Sequence, residues 1–262
     1  MKVFAVLLAA YAAAASAQSV EPFAPYDNFR EKVIDKSKWV EYERTRAIRR
    51  GALQLVQRTA GATASDSGST GSSFGESFVD PGAVTAIRAK ITVKAIEVPS
   101  CAANAAVGQS RARIIGAFFN AGTPVPGSLS GDVLAQVRIA RHSDSTDPAG
   151  VLRVEGTVTR CTNADCSTGV AIGNFELGVV DVGQATTVQM QWDPPTNSFL
   201  FSRDGGASGA VVYTDADASP PGNAFKQLQT RLDLPNCQSG PAAVGFVDAS
   251  FDNVSVNQSA AP

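Results

Sequence analysis

Apolar and polar residues alternate along much of this chain with a period of two, and stretches with the helical period of 3.6 are absent. The segment 83–98 shows the alternation clearly, with apolar residues at odd positions from Ile87 to Ala95 and mostly charged residues between them. Such a strand has one face in the core and one face in water. The pattern therefore predicts an all-β fold. The same alternation recurs in segments 52–57, 133–140 and 151–159.

Two further segments add detail to this prediction. The segment 113–119 is apolar on both faces, which is typical of a strand in the middle of a sheet. The segment 187–192 is followed by the turn-forming sequence DPPTN at 193–197 and by a second strand at 199–203. Proline and asparagine at these positions favour a turn, so we expect a β-hairpin here.

Glycine, serine, threonine and proline are concentrated in the segments 61–75 and 215–223, which we expect to be loops. Neither segment is long enough to act as a linker between domains, and the chain has no repeat of fixed period. Single β-sandwich domains commonly reach about 200–250 residues. We therefore expect residues 18–262 to form a single domain.

The first 17 residues have the features of a signal peptide. Lys2 supplies a positive charge, residues 3–14 form an apolar segment, and Ala15-Ser16-Ala17 is a small-residue cleavage site. The apolar segment is too short to cross about 30 Å of hydrocarbon. We expect cleavage before Gln18, a secreted or periplasmic protein, and no membrane span in the mature chain.

Charge and cysteine content narrow the class of protein. The 22 Lys and Arg residues nearly balance 24 Asp and Glu residues, so the chain lacks the basic excess of a nucleic-acid binder. Four cysteines in an exported chain indicate two disulfides. Three pairings are formally open, and the short spacing favours Cys161 with Cys166, which leaves Cys101 with Cys237. One histidine and no C-x-x-C spacing argue against a zinc site.

Motifs near the two ends of the chain carry a family resemblance. The sequence YDNF at 26–29, followed by Ile34-Asp35 and Trp39, stands near the start, and FDNVSV at 251–256 stands at the end. Together with the Trp192 hairpin, these motifs resemble the secreted concanavalin A-like (laminin-G/glucanase-like) superfamily. The resemblance implies an antiparallel two-sheet jelly-roll sandwich. It also implies that the strand containing Phe29 pairs with the strand containing Val254.

The resemblance also suggests a structural Ca²⁺ site. Related sandwiches often hold calcium near the terminal strands, and Asp27 and Asp252 match by their place in the pattern. Carboxylates at such positions also cap turns or accept backbone N–H groups, and we favour that second interpretation. No other cofactor is implied.

Glycosidase chemistry finds little support in the sequence. A retaining glycosidase needs two carboxyl groups about 5 Å apart, and the glucanases of this superfamily place them in an E-x-D-x-E strand. The nearest match is Glu41-Tyr42-Glu43, which has two carboxylates instead of three. The histidine at 142 lies next to serine and aspartate, but adjacent residues in one turn cannot converge as a hydrolytic triad does.

Arginine-rich segments favour recognition of an acidic glycan. Arg44 and Arg46 share one strand face with Tyr42, and Arg138 lies near His142. These five residues are our predicted ligand-binding set. The leading hypothesis is a glycan-binding or surface-interaction protein without catalysis. A polysaccharide lyase or glycoside hydrolase with an arginine-lined cleft is the alternative, and a structural envelope protein is a third.

Overall fold

A computed structural model describes residues 43–261, which form thirteen β-strands and two short 3-10 helices. The signal peptide, the opening motif, Asp27 and Tyr42 lie outside these residues. Among residues 43–261, no helix is long and apolar enough to cross a membrane. The strands are β1 (Glu43–Arg49), β2 (Ala52–Ala60), β3 (Ser69–Ser77), β4 (Ala86–Glu97), β5 (Gln109–Asn120), β6 (Asp132–His142), β7 (Val151–Cys161), β8 (Gly169–Asp181), β9 (Ala185–Asp193), β10 (Ser198–Arg203), β11 (Ala207–Val212), β12 (Lys226–Pro235) and β13 (Val244–Val256), and the 3-10 helices are Pro194–Thr196 and Gln258–Ala260.

The strands form two antiparallel sheets packed face to face. The seven-stranded sheet has the order β1-β2-β13-β4-β9-β10-β11, and the six-stranded sheet has the order β3-β12-β5-β6-β7-β8. This architecture confirms the predicted all-β, antiparallel jelly-roll sandwich. Strands that are distant in sequence become neighbours in both sheets, and this brings side chains from β12, β5 and β6 together.

The core lies between the sheets and is formed by the apolar half of each alternating strand. Ile91 and Val93 of β4 are buried, as are Val137 and Ile139 of β6. All twelve residues of β5 are buried, which confirms the prediction of an interior strand. Gly156 of β7 lies against the Phe201 ring, so a side chain at this position would collide with the opposite sheet.

The predicted hairpin is also confirmed. β9 and β10 pair in register, with Phe199 opposite Trp192. The indole Nε1 of Trp192 donates to the Tyr213 hydroxyl at 2.8 Å, and that hydroxyl donates to Asp217 at 2.5 Å. The Trp192 ring also stacks on Phe119. Trp192 therefore packs against the core.

The closing strand β13 lies in the interior of its sheet, between β2 and β4. Its pairing with β4 is interrupted by a bulge between Asp252 and Ser255, where Asn253 adopts a φ of 50°. Its predicted pairing with the strand containing Phe29 lies outside the described residues and stays a prediction.

The prediction of a loop at 61–75 is wrong in its second half. β3 begins at Ser69 and pairs with β12 along its whole length. Gly75 lies so close to the β12 backbone that no side chain would fit there. The small residues of this edge strand pair with β12 through their backbone N–H and C=O groups. Such pairing needs no alternation of apolar and polar side chains, so the sequence pattern did not reveal it. The segment 215–223 forms no strand, as expected, apart from one isolated bridge at Ser219.

The exposed edge of β8 is covered by a side chain from the other sheet. Arg203 donates from Nη1 to the carbonyl oxygens of Leu177 and Val179, at 3.0 and 2.9 Å. Between these two residues Gly178 adopts a φ of 89°. Asp204 accepts from the Nε of Arg203 at 3.2 Å and so holds the guanidinium in place.

Both disulfides favoured by the sequence are present. Cys101 pairs with Cys237 across 136 residues, and Cys161 pairs with Cys166 across five. Disulfides of this kind are typical of proteins in an oxidising compartment.

Candidate functional site

The outward face of the six-stranded sheet carries a polar groove with a volume of about 440 Å³. Strands β12, β5 and β6 form its floor, because the polar half of each alternating strand points away from the core. Leu129 and Asp165 stand on a wall made by two loops, which are joined by a hydrogen bond from Leu129 N–H to Ala164 O. We call this feature the arginine groove. Its polar floor residues include Arg111, Arg113, Gln136, Gln227, Gln229 and Arg231.

Strand register aligns charged and amide side chains in a row across the sheet. Gln229, Arg113, Arg138, Glu155 and Glu176 lie opposite one another on β12, β5, β6, β7 and β8. Because neighbouring strands are about 4.8 Å apart, this row spans about 19 Å. Its positive groups lie towards β12 and its negative groups towards β8.

Arg113 is the most unusual residue in the row. It is 5% exposed, and its Nε donates to Gln229 Oε1 at 2.7 Å while its Nη1 donates to Gln136 Oε1 at 2.8 Å. Burial lowers its pKa well below the ordinary value, and the nearby charge of Arg111 acts in the same direction. Arg113 forms no ion pair within residues 43–261. A guanidinium stays protonated in proteins. The described carboxylate that attracts this buried charge, Asp233, is paired with two other arginines and not with Arg113.

Asp233 joins the two other arginines of the groove. Arg111 Nη1 lies 2.7 Å from Asp233 Oδ2, and Arg231 Nε lies 2.8 Å from Asp233 Oδ1. Burial alone would raise the pKa of Asp233, but the two guanidinium groups outweigh it and lower the pKa to about 2. Burial lowers the pKa of Arg111 to about 10, although Asp233 opposes this shift. The Nε of Arg111 is buried and finds no hydrogen-bond partner among residues 43–261.

Glu155 lies beside Arg138 and His142 at the end of the row. Its Oε1 is 3.0 Å from Arg138 Nε and 3.9 Å from His142 Nε2. The imidazole also contacts the amide of Gln109. Burial lowers the pKa of His142, and the charge of Arg138 lowers it further. At pH 7 the imidazole is therefore neutral. A second cavity of about 280 Å³ opens here, next to Glu176.

The structure divides the predicted ligand-binding set. Arg138 and His142 lie on the outward face of the six-stranded sheet, beside the arginine groove. Arg44 and Arg46 belong to the other sheet and lie 5.6 Å from the centre of the Phe74 ring, whose side chain faces the core. Arg46 also pairs with Glu76. These two arginines do not reach the groove, and Tyr42 lies outside the described residues.

Several groove residues were not predicted as site residues. Arg111 and Arg113 are two positions apart on one strand, which places them on the same face. The segment 227–233 alternates glutamine, arginine and aspartate with leucine and threonine. This period of two predicts a half-buried strand, as it did for 83–98. The same reasoning would have placed Gln229 and Arg231 on an outward face and added them to the candidate site residues.

Of the two carboxylates predicted to bind calcium, the structure describes Asp252, and its oxygens contact other groups of the protein. Asp252 lies 2.6 Å from Lys90 Nζ and accepts the Asn253 N–H, and both contacts lower its pKa. Asp27 lies outside the described residues. Among residues 43–261, one other group has potential metal ligands close together, namely Asp66, Cys101 and Cys237. Both of those sulfurs form a disulfide, so this group offers one carboxylate and no thiolate.

Comparison with solved structures finds several chains of low sequence identity. A family 16 endo-glucanase from Bacteroides ovatus is 12% identical, with 80% of this chain and 85% of that chain covered and a TM-score of 0.37. A family 18 polysaccharide lyase is 10% identical, with 78% and 80% covered and a TM-score of 0.32. The Emp47p carbohydrate recognition domain is 10% identical, with 81% and 86% covered and a TM-score of 0.32.

The jelly-roll architecture expected from the sequence motifs is confirmed by the two antiparallel sheets of this structure itself. At such identities and TM-scores the likeness carries no inference about activity. No protein-family model and no curated protein sequence matches this chain.

Proposed function

We propose that this protein binds an acidic glycan in the arginine groove. The observation that carries the proposal is Arg113, a buried guanidinium in the groove floor whose described partners are the neutral amides of Gln136 and Gln229. A buried charge is costly unless it is paired. A bound anion would supply the missing negative charge.

The shape and chemistry of the groove support a glycan rather than a small inorganic anion. The groove has a volume of about 440 Å³, which is more than a small inorganic anion needs, and its floor combines three arginines with three glutamines. Its amide side chains can donate to and accept from hydroxyl groups. A planar guanidinium matches the two oxygens of a carboxylate, so a uronate-containing chain suits Arg113 better than a neutral chain.

Binding without turnover is the form of the proposal that the groove supports best. Its described lining contains no tyrosine and a single carboxylate, that of Asp165. The nearby carboxylates of Glu155 and Asp233 are engaged by arginines. Acid–base cleavage needs such groups held within reach of the substrate.

The proposal can be tested by replacing Arg113 with methionine. We expect the affinity for polygalacturonate or alginate, measured by isothermal titration calorimetry, to fall at least tenfold. The melting temperature should stay the same or rise, because a buried charge without a carboxylate partner is removed. Affinity of the wild-type protein should also fall as salt rises, and neutral dextran should not bind.

Arg88 provides a matched control, since it is exposed on β4 of the other sheet. Arg88→Met should leave binding unchanged. If both variants bind equally well, or if neutral dextran binds as tightly as the acidic polymers, the groove is not an acidic-glycan site.

A polysaccharide lyase is the second candidate, and His142 is the observation that favours it. The lowered pKa keeps its imidazole neutral and able to accept a proton at pH 7. Arg138, whose charge acts on the imidazole, could then stabilise the negative charge that develops on a uronate carboxylate. A rise in ultraviolet absorbance from unsaturated sugar ends, lost in His142→Ala and kept in Arg88→Met, would establish the lyase in place of a binding protein.

A further inference from the structure

Two N-glycosylation sequences overlap the end of β13, at Asn253-Val254-Ser255 and Asn257-Gln258-Ser259. The motif N-x-S/T is an acceptor for an N-linked glycan in an exported eukaryotic protein. The motif alone does not distinguish the two asparagines, but their surroundings in the structure differ sharply.

Asn253 is open to solvent. It lies at the β-bulge of β13, where its φ is 50°, and it is exposed. Its backbone N–H is bound by Asp252, but within residues 43–261 its side-chain amide makes no hydrogen bond. A substituent on Nδ2 therefore displaces no protein contact.

Asn257 has its whole side-chain amide engaged. Its Oδ1 accepts from the backbone N–H groups of Thr85 and Ala86, at 2.8 and 3.2 Å. Its Nδ2 donates to Ala83 O at 3.0 Å and to Ser259 Oγ at 2.9 Å. These bonds tie the C-terminal segment to the start of β4. A glycan would remove one of the two N–H donors and would need space in this half-buried position.

We infer that Asn253, and not Asn257, is the N-glycosylation site of this protein. In the reaction the Asn253 Nδ2 attacks the anomeric carbon of a lipid-linked oligosaccharyl pyrophosphate. A nitrogen–carbon bond forms, and the carbon–oxygen bond to the pyrophosphate breaks with its electron pair leaving on the pyrophosphate. The proton lost by the amide passes through a base of the transferase to solvent. The inference depends on export of the chain through a eukaryotic secretory pathway and is independent of the proposed function.

The position of Asn253 keeps the glycan away from the arginine groove. β13 belongs to the seven-stranded sheet, and the groove lies on the outward face of the six-stranded sheet. A glycan at Asn253 would shield the end of the bulged strand, where Val254 is 41% exposed. Ligand binding should therefore be the same before and after enzymatic removal of the glycan.

The inference can be tested by secreting the full chain from cultured insect cells and mapping glycopeptides by mass spectrometry. We expect a glycan on Asn253 and an unmodified Asn257. Asn253→Gln should remove the glycan-dependent gel shift completely. Ser255→Ala should do the same while leaving the Asn253 side chain in place, which separates loss of the acceptor sequence from any effect on folding.

Asn257→Gln is the comparison variant. It should keep the gel shift of the wild-type protein but lower the melting temperature, because Gln cannot reproduce the four hydrogen bonds. A secreted, folded protein that carries a glycan on Asn257, or one whose Asn253 is unmodified, would overturn the inference.

Discussion

Removing the two disulfides separately should show that one supports the fold and the other supports the groove. Cys101 and Cys237 close a loop with a sequence separation of 136, whereas Cys161 and Cys166 are separated by five residues. In the chain-entropy description, a disulfide stabilises a protein by restricting the unfolded chain, and the effect grows with the logarithm of the loop length. The two bonds should therefore contribute unequally to the free energy of unfolding.

The expected magnitudes follow from the loop lengths. For the long loop the lost chain entropy corresponds to about 5 kcal/mol at 25 °C, and for the short loop to about 2 kcal/mol. Replacing Cys101 and Cys237 together by alanine should thus lower the free energy of unfolding by about 3 kcal/mol more than replacing Cys161 and Cys166.

Ligand binding should show the opposite order. Asp165 and Cys166 line the arginine groove, while Cys101 and Cys237 do not. Without the short disulfide, the loop 162–168 must be ordered when the glycan binds. Ordering it should cost about 1 kcal/mol, which is about a fivefold loss of affinity. The long disulfide should have little effect on affinity at temperatures where the variant is folded.

Urea unfolding followed by tryptophan fluorescence gives the stabilities, and calorimetric titration with polygalacturonate gives the affinities. Both double-alanine variants lose the same number of sulfur atoms, so each controls for the other. Equal losses of stability would refute the chain-entropy argument. If the variant without Cys101 and Cys237 bound polygalacturonate more weakly than the variant without Cys161 and Cys166, the short disulfide loop would not form a wall of the groove.

Three further predictions concern buried polar groups. Asp132→Asn should lower the free energy of unfolding by about 3 kcal/mol in urea titrations, because the carboxylate accepts from Asn120 and from the N–H groups of Gly222 and Asn223. The control Asp144→Asn, at an exposed position, should leave stability unchanged. Equal losses of stability in the two variants would contradict the structural role of Asp132. Burial lowers the pKa of Lys226 to about 8, so the folded state binds its proton less tightly than the unfolded chain does. Stability of the wild type relative to Lys226→Met should therefore rise by about 2 kcal/mol between pH 7 and 9.5, and a constant difference would refute it. Tyr213→Phe should cost about 1–2 kcal/mol by thermal unfolding, because Trp192 loses its acceptor and Asp217 its donor; an unchanged melting temperature would argue against this chain of hydrogen bonds.

Local pattern predicted individual strands well wherever one face is apolar. The alternation in β4, β6 and β7 and the turn sequence after Trp192 identified these elements, because burial of one face follows directly from a period of two. β3 was missed because its serine and glycine residues show no such period. It is held by backbone pairing with β12, about 150 residues away in the chain.

The groove was harder to predict because it depends on which strands become neighbours. Arg113 and Gln229 are 116 residues apart and meet only through the pairing of β5 with β12. Arg44 and Arg46 illustrate the reverse problem. Local alternation placed them on a strand correctly, but it could not show that this strand lies in the other sheet. Residue type thus pointed to arginine-rich surface, while strand order decided which arginines share the groove.

The contact between Arg203 and the border of the six-stranded sheet bears on how the protein behaves at high concentration. An uncovered border strand of thirteen residues would offer a template on which the same strand of a second molecule could add, and such addition can propagate into fibrous aggregates. Arg203 donates to two carbonyl oxygens in the second half of this strand, and Gly178 bends the strand between them. One arginine from the opposite sheet thereby helps to keep a glycine-rich strand from recruiting further copies of the chain.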